Sequence, residues 1–200
     1  MTTIILVMFA YLAGSVPVAD ILAKIKGVDL RKVGSKNMGA TNAWRVLGRK
    51  VGITCYILDF LKGAVPVIIG WHFFNLTSLE ITLVGLAAII GHIFPLFMGF
   101  KGGKGVATSS GVFMILSPLA FIAALLVWLA TYKKTYYVSL GSMLAALTLP
   151  LAQVFLGDAL SVNKWPLTVF ELLVLAVVLI THRPNIKRLI NGTEPKTYLF

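Results

Sequence analysis

The chain has 200 residues, of which 58% are hydrophobic and 12% are charged, and its formal net charge is +11. A soluble domain of this size cannot hide that much apolar surface in one core, so a soluble fold is excluded and most of the chain is expected to face lipid. Nucleic acid is not an expected partner, because the basic residues form short clusters between long apolar runs and not one hydrophilic face.

Apolar segments follow one another along the whole chain. A helix needs about 20 mostly apolar residues to cross a bilayer, and the segments that meet this requirement are 2–23, 51–73, 79–98, 136–157 and 164–182. The first lacks the basic start and the clean cleavage site of a signal peptide, so we expect it to be retained. The stretch 105–131 is either one tilted helix or two short helices broken at Ser117-Pro118, where proline removes a backbone donor.

The basic residues favour the broken helix. With a break, sixteen of the eighteen Lys and Arg residues lie on one side, in the segments 24–50, 99–104, 132–135 and 183–200. Basic loops stay in the cytoplasm. The sequence therefore predicts an all-α, polytopic membrane helical bundle of about seven transmembrane helices, with the N-terminus outside and the C-terminus cytoplasmic. No internal repeat or linker is evident, so residues 1–200 are expected to form one domain.

The first polar segment, residues 29–50, is rich in Gly, Ser and Asn. Its glycines let the backbone turn and approach a ligand closely. Thr41 is expected to cap a short helix on which Arg45 lies one turn further along the same face. A helix N-terminus beside an arginine suits a phosphate group, and the candidate residues are Gly34, Ser35, Asn37, Gly39, Thr41, Asn42 and Arg45. The alternative is a basic loop that only touches anionic lipid head groups.

The second polar segment, residues 99–105, combines four glycines with Lys101 and Lys104. Such a loop can form a positively charged backbone nest for an anion, with the amides of Gly102 and Gly103 assisting. It is not a Walker A loop, because the first glycine and the final Ser or Thr of that motif are missing. The alternative is a tight turn whose lysines only follow the inside-positive bias.

The third polar segment, residues 181–196, follows the last span. His182 and Asn185 flank Pro184 where the helix leaves the membrane, so their side chains are expected to point back toward the other two segments. A lone histidine at a helix end is more often a capping or interfacial residue. Glu194 is the only acid in this segment, and we expect it to form a structural ion pair with a loop arginine or lysine.

The predicted spans contain polar residues, among them Asp59, Lys62 and Ser142. Asp59 and Lys62 are one turn apart in the second span, and a structural ion pair is the favoured interpretation for ionisable groups at that depth. Ser142 belongs to a small-residue face that packs helices together or reaches the site. Cys55 is the single cysteine, so neither an intrachain disulfide nor a cysteine-rich metal site is expected.

Four groups of motifs are spread over nearly the whole chain. They are Gly14-Ser-x-Pro, Gly34-Ser-Lys-Asn-x-Gly-Ala-Thr-Asn-x-x-Arg45, Gly91-His-x-x-Pro with Phe100-Lys-Gly-Gly-Lys-Gly-Val, and Thr181-His-Arg-x-Asn-Ile. Together they resemble the bacterial acyl-phosphate:glycerol-3-phosphate acyltransferase family. The resemblance implies transfer of a fatty acyl group from acyl phosphate to the 1-hydroxyl of glycerol 3-phosphate, which gives lysophosphatidate and phosphate. It also implies no metal, no cofactor and no acyl-CoA donor, and a bacterial inner-membrane location with the active site at the cytoplasmic face.

The residues fit this chemistry independently. The better-known acyltransferases use a His-x-x-x-x-Asp pair, which none of the three histidines provides. Acyl phosphate is a mixed anhydride with a good leaving group, so positioning and charge neutralisation are expected to suffice without a covalent nucleophile. The residues expected to hold acyl phosphate are Ser35, Asn37, Thr41, Lys104 and the backbone of Gly34 and Gly39. Those expected to hold glycerol 3-phosphate are Arg45, Lys101 or Lys104, His182 and Asn185.

The proton acceptor and the class of protein each have alternative interpretations. The proton of the attacking hydroxyl goes either to His182, whose reference pKa is about 6.5, or to a substrate phosphate. A transporter of phosphorylated small molecules is the main rival function, because broken helices with anion-binding ends also suit alternating access. A non-catalytic anchor that recruits anionic lipid is a third hypothesis. The enzyme hypothesis also allows transient contact with an acyl-phosphate-synthesising enzyme.

Overall fold

The computed structural model describes residues 1–156 and 164–199, and every regular element in those ranges is helical. The α-helices are α1 Thr2–Ser15, α2 Val18–Ile25, α3 Ala40–Leu47, α4 Arg49–Phe74, α5 Ser78–Ile93, α6 Val106–Leu116, α7 Pro118–Thr135, α8 Val138–Leu156, α9 Lys164–Thr181 and α10 Arg183–Ile190. Gly157, the last residue of a predicted span, lies outside the described residues. The chain divides into two compact units, Met1–Ile115 and Leu116–Phe200, and each is described by itself.

Membrane-crossing segments are abundant in the described part of the chain. By length and composition four segments qualify alone, namely Thr2–Ile25, Arg49–Phe74, Ser78–Met98 and Val138–Leu156, and α9 with α10 adds a fifth if this pair, bent by 58°, is one span. The predicted break at Ser117-Pro118 is confirmed, because α6 ends at Leu116 and α7 begins at Pro118. With eleven residues, α6 is too short to cross a hydrocarbon core about 30 Å thick. The count of seven spans therefore stays a prediction.

Glycines allow the helices of the first unit to pack closely. A Cβ at Gly14 of α1 would overlap the backbone carbonyl of Ala88 in α5, and one at Gly91 of α5 would overlap the carbonyl of Tyr11 in α1. Gly63 of α4 is equally close to the backbone of α6. Small residues at such crossings let helices approach within van der Waals contact, which is the main attraction between helices in lipid. Large apolar side chains such as Ile57 and Leu61 point outward.

The two ends of α5 are set by local sequence. Thr77 and Glu80 form a capping box, in which each side chain accepts a hydrogen bond from the other residue's backbone amide, so the helix begins at Ser78. The helix ends at Ile93, two residues before Pro95, as expected because proline disfavours a helical conformation in the residue before it. The chain then passes through a short 3-10 turn, Leu96–Met98. These limits fix where the second polar segment begins.

The second unit carries a tyrosine that holds the tail of the chain. Tyr132 of α7 is buried, and its hydroxyl donates to the carbonyl of Thr197 at 3.0 Å and accepts from the amide of Leu199 at 2.6 Å. The amide of Thr197 in turn donates to the carbonyl of Tyr136 at 3.0 Å. Residues 197–199 are therefore fixed to the end of α7 by three hydrogen bonds.

Candidate active site

The predicted site residues divide between the two units. Those in the first unit are Gly34, Ser35, Asn37, Gly39, Thr41, Asn42, Arg45, Lys101, Gly102, Gly103 and Lys104. Those in the second unit are Ser142, His182 and Asn185. Each group is described within its own unit, and the meeting of the three polar segments stays a prediction.

Asn42 organises the polar segment that precedes α3. Its Oδ1 accepts a hydrogen bond from the amide of Ser35 at 2.8 Å, and its Nδ2 lies 3.2 Å from the carbonyls of both Leu30 and Val33. The side chain is buried and uses both amide hydrogens inside the protein. Asn42 therefore holds the loop in this structure, and its contact with substrate stays a prediction. Gly34 has a φ of +62°, and a Cβ there would overlap the Asn42 side chain.

The short helix predicted around Arg45 is confirmed as α3, but its cap is not the predicted one. The helix begins after Gly39, whose backbone is extended and which offers no side-chain cap. Thr41 lies inside the first turn, so its expected role as cap is wrong. Because no side chain caps the first turn, α3 presents backbone amides and the positive end of its dipole. Arg45 lies four residues after Thr41 on the same face, in the last turn.

The second polar segment, hereafter the glycine loop (residues 99–105), is tied to the end of α5. The amide of Gly102 donates to the carbonyl of Ile93 at 3.0 Å, and the amide of Gly103 donates to the carbonyl of His92 at 3.1 Å. Both amides are thus paired within the protein, and their binding of phosphate stays a prediction. The loop also carries the ammonium groups of Lys101 and Lys104 and leads into the N-terminal turn of α6, which begins at Val106.

A buried polar cluster lies beside the glycine loop. The predicted ion pair is confirmed, with Lys62 Nζ 2.8 Å from Asp59 Oδ1 and the two side chains 9% and 3% exposed. Lys62 also donates to the carbonyl of Val16, in the break between α1 and α2, at 3.0 Å. His92 Nδ1 lies 3.6 Å from Asp59 Oδ1. A pocket beside the glycine loop is lined by Asp59, Lys62 and His92 together with Lys101, Gly102 and Gly103.

His92 is the residue that sequence reasoning missed. It belongs to the Gly91-His-x-x-Pro motif, but its residue type and place in the sequence alone indicate no role. The available signal was a histidine at the end of an apolar span, three residues before a proline and seven before the glycine loop. Its position opposite Asp59 depends on how α4 packs against α5, which the spacing alone does not reveal.

Glu194 joins α8 and α10 in the second unit. Its Oε1 accepts hydrogen bonds from Ser139 Oγ and Asn185 Nδ2, both at 2.6 Å. Its Oε2 accepts from Arg188 Nε at 2.7 Å, so the predicted ion pair is present, but its basic partner lies in helix α10 and not in a loop. Burial alone would raise the pKa of the Glu194 carboxyl, but these three donors hold the pKa below its ordinary value. Asn185 is therefore oriented by a carboxylate that stays ionised.

His182 and Ser142 are both buried, and each bonds to a nearby backbone carbonyl four residues earlier in the chain. His182 Nδ1 lies 2.8 Å from the carbonyl of Val178, and a carbonyl only accepts, so Nδ1 carries the hydrogen. In the neutral ring the lone pair is then on Nε2, the nitrogen able to take a proton. Ser142 Oγ donates to the carbonyl of Val138 at 2.9 Å. Within the described residues, no group of three His, Cys, Asp or Glu side chains is placed to hold a metal ion.

Comparison with known proteins gives concordant results. The family model for glycerol-3-phosphate acyltransferase matches residues 4–192. The glycerol-3-phosphate acyltransferase of Aquifex aeolicus is 44% identical over 196 residues, which cover 97% of this chain and 98% of the relative. The enzyme of the same name from Geotalea daltonii is 48% identical over 191 residues, which cover 96% and 95%.

Two solved structures are also similar. One is the crystal structure of PlsY, an integral membrane glycerol 3-phosphate acyltransferase, in its glycerol 3-phosphate form. Its TM-score is 0.91, and it is 41% identical over 99% of this chain and 96% of that chain. The other is the lysophosphatidic acid form of PlsY, with a TM-score of 0.88 and 40% identity over 100% and 97%.

Proposed function

This chain belongs to the glycerol-3-phosphate acyltransferase family, and from that premise we propose that its acyl donor is acyl phosphate. The product is then lysophosphatidate, formed on the 1-hydroxyl of glycerol 3-phosphate, with phosphate released. The similar PlsY structures, named for glycerol 3-phosphate and lysophosphatidic acid forms, support this substrate and product. The observation that carries the proposal is the glycine loop, where two lysines and a helix N-terminus are held in place by α5.

The reaction needs little covalent help from the protein. The hydroxyl oxygen of glycerol 3-phosphate bonds to the acyl carbon, and the bond between that carbon and the phosphate oxygen breaks. The leaving group is phosphate, which is already stable as an anion, so the protein must mainly align the two substrates and neutralise their charge. In this proposal Lys104, Ser35, Asn37, Thr41 and the backbone of Gly34 and Gly39 hold the acyl phosphate.

Glycerol 3-phosphate takes a separate set of groups. Arg45 offers a planar pair of donors to its phosphate and Lys101 adds charge. His182 and Asn185 are the other two residues proposed to bind it. The proton of the attacking hydroxyl passes to His182 Nε2 or to a substrate phosphate. The hydrogen bond from His182 Nδ1 to the carbonyl of Val178 favours the first route, because it leaves Nε2 as the basic nitrogen.

The proposed topology has seven spans, with the active site at the cytoplasmic face of the inner membrane. We expect an impermeant maleimide to label His72→Cys in intact cells, in a Cys55→Ala background. The variants Lys36→Cys, Lys133→Cys and Lys187→Cys should react only after the membrane is opened, because basic segments stay inside. All four positions are exposed on the protein. Labelling of residues 36 and 187 from opposite sides would contradict a shared site.

The acyl donor is tested by supplying purified protein in detergent with radiolabelled glycerol 3-phosphate. We expect labelled lysophosphatidate with palmitoyl phosphate and none with palmitoyl-CoA. Equal product from both donors would contradict the proposed donor. Absence of product, combined with movement of glycerol 3-phosphate into sealed vesicles, would instead support the transporter, and binding without turnover would support the anchor.

A further inference from the structure

We propose that His92 is a positioning residue, which sets the place of the glycine loop from a buried position beside Asp59. The inference rests on the proposed function, since the loop is where the proposal places a substrate phosphate. His92 is not offered as a group that touches substrate.

His92 holds the loop through both its main chain and its side chain. Its carbonyl accepts the amide of Gly103 at 3.1 Å. A Cβ at Gly103 would overlap Nε2 of the His92 ring, so the imidazole packs directly on the backbone of the loop. Only glycine fits position 103 while this ring is present.

The other edge of the ring faces a fixed carboxylate. His92 Nδ1 lies 3.6 Å from Asp59 Oδ1, and it has no hydrogen-bond partner among the described residues. Asp59 is paired with Lys62 at 2.8 Å, and Lys62 reaches the carbonyl of Val16 at 3.0 Å. A continuous set of contacts thus runs from the break between α1 and α2, through α4 and α5, to the glycine loop.

The position of the loop determines where its charges lie. It carries Lys101 and Lys104 and leads into α6, whose first turn presents backbone amides. A shift of about 1 Å in such groups is enough to weaken phosphate binding strongly. A displaced loop should therefore raise the KM for glycerol 3-phosphate more than it lowers kcat, since a binding contact is lost in both ground and transition states.

The test is a comparison of Gly103→Ala and Gly102→Ala, each with and without His92→Ala. Both single glycine variants should raise the KM for glycerol 3-phosphate by at least about tenfold through overpacking. Removing the His92 ring opens space at position 103 only. A Cβ at Gly102 would meet the carbonyls of His92 and Ile93 and the ring of Pro95, none of which the alanine removes.

We therefore expect Gly103→Ala/His92→Ala to recover a KM within about threefold of the His92→Ala single variant. Gly102→Ala/His92→Ala should stay as impaired as Gly102→Ala. The KM for palmitoyl phosphate should rise and recover in the same pattern, because the proposal places that substrate on Lys104 of the same loop. Recovery at both positions, or at neither, would overturn the inference.

Thermal unfolding in detergent gives a second measurement of the same coupling. The midpoint lost in Gly103→Ala should return when His92 is removed, and that lost in Gly102→Ala should not. This readout does not depend on turnover. If the wild-type protein shows no acyl transfer but the unfolding coupling is present, the proposed function is refuted and the contact between His92 and Gly103 is still supported. If the coupling is absent, the inference itself is refuted.

Discussion

Replacement of either Arg45 or Lys104 by alanine should lower the rate of acyl transfer by about 100- to 1,000-fold. Each residue supplies a fixed positive charge from a different element, Arg45 from the last turn of α3 and Lys104 from the glycine loop. Charge-assisted hydrogen bonds to phosphate are strong, and they matter most where charge moves to the leaving group. Steady-state rates with palmitoyl phosphate and glycerol 3-phosphate in detergent measure the effect.

A matched control and a conservative variant sharpen this test. Lys32 lies in the same polar segment as Arg45 but is 81% exposed, and its contact with Asp29 is 3.7 Å long, so Lys32→Ala should keep near-normal turnover. Arg45→Lys keeps the charge but loses the planar pair of donors, and it should fall between wild type and Arg45→Ala. Near-normal turnover in Arg45→Ala or Lys104→Ala, with the protein folded, would refute the site assignment.

The largest effect on stability is expected at the buried ion pair. Asp59→Leu should destabilise the protein by about 3–5 kcal/mol, because it leaves the Lys62 ammonium buried beside an apolar side chain. The double variant Asp59→Leu/Lys62→Met removes both charges and keeps similar volumes, so it should recover most of that loss. Unfolding midpoints in detergent measure both values.

The unfolding midpoint of the double variant distinguishes the cost of an unpaired buried charge from the cost of lost packing. If the double variant were as unstable as Asp59→Leu, the cost would come from lost packing and not from an uncompensated charge. Lys32→Ala again serves as the control, since an exposed pair contributes little to folding. Stability is the readout here, because loss of Asp59 should also disturb His92 and therefore the glycine loop.

The sequence predicted the helices better than the side chains that join them. The predicted break at Ser117-Pro118 is present, because proline acts on its own backbone and needs no distant partner. The pair between Asp59 and Lys62 was also predictable, since residues one turn apart share a helix face. Each of these inferences used only local geometry.

The contacts that the sequence does not predict involve longer-range or backbone effects. Asn42 holds backbone groups of residues 30, 33 and 35, which its polar residue type alone does not reveal. Thr41 was expected to cap α3, but the extended backbone of Gly39 starts the helix earlier. His92 depends on the packing of α4 on α5. Patterns along a chain indicate which residues are polar, but the packing of helices decides what those residues contact.

The hydrogen bonds that join the end of α7 to residues 197–199 have a consequence for biosynthesis. The carbonyl that binds its hydroxyl belongs to a residue synthesised 65 residues later. During translation these hydrogen bonds form only after residues 197–199 leave the ribosome, long after α7 itself is made. A chain that stops before residue 197 therefore keeps α7 but lacks all three hydrogen bonds.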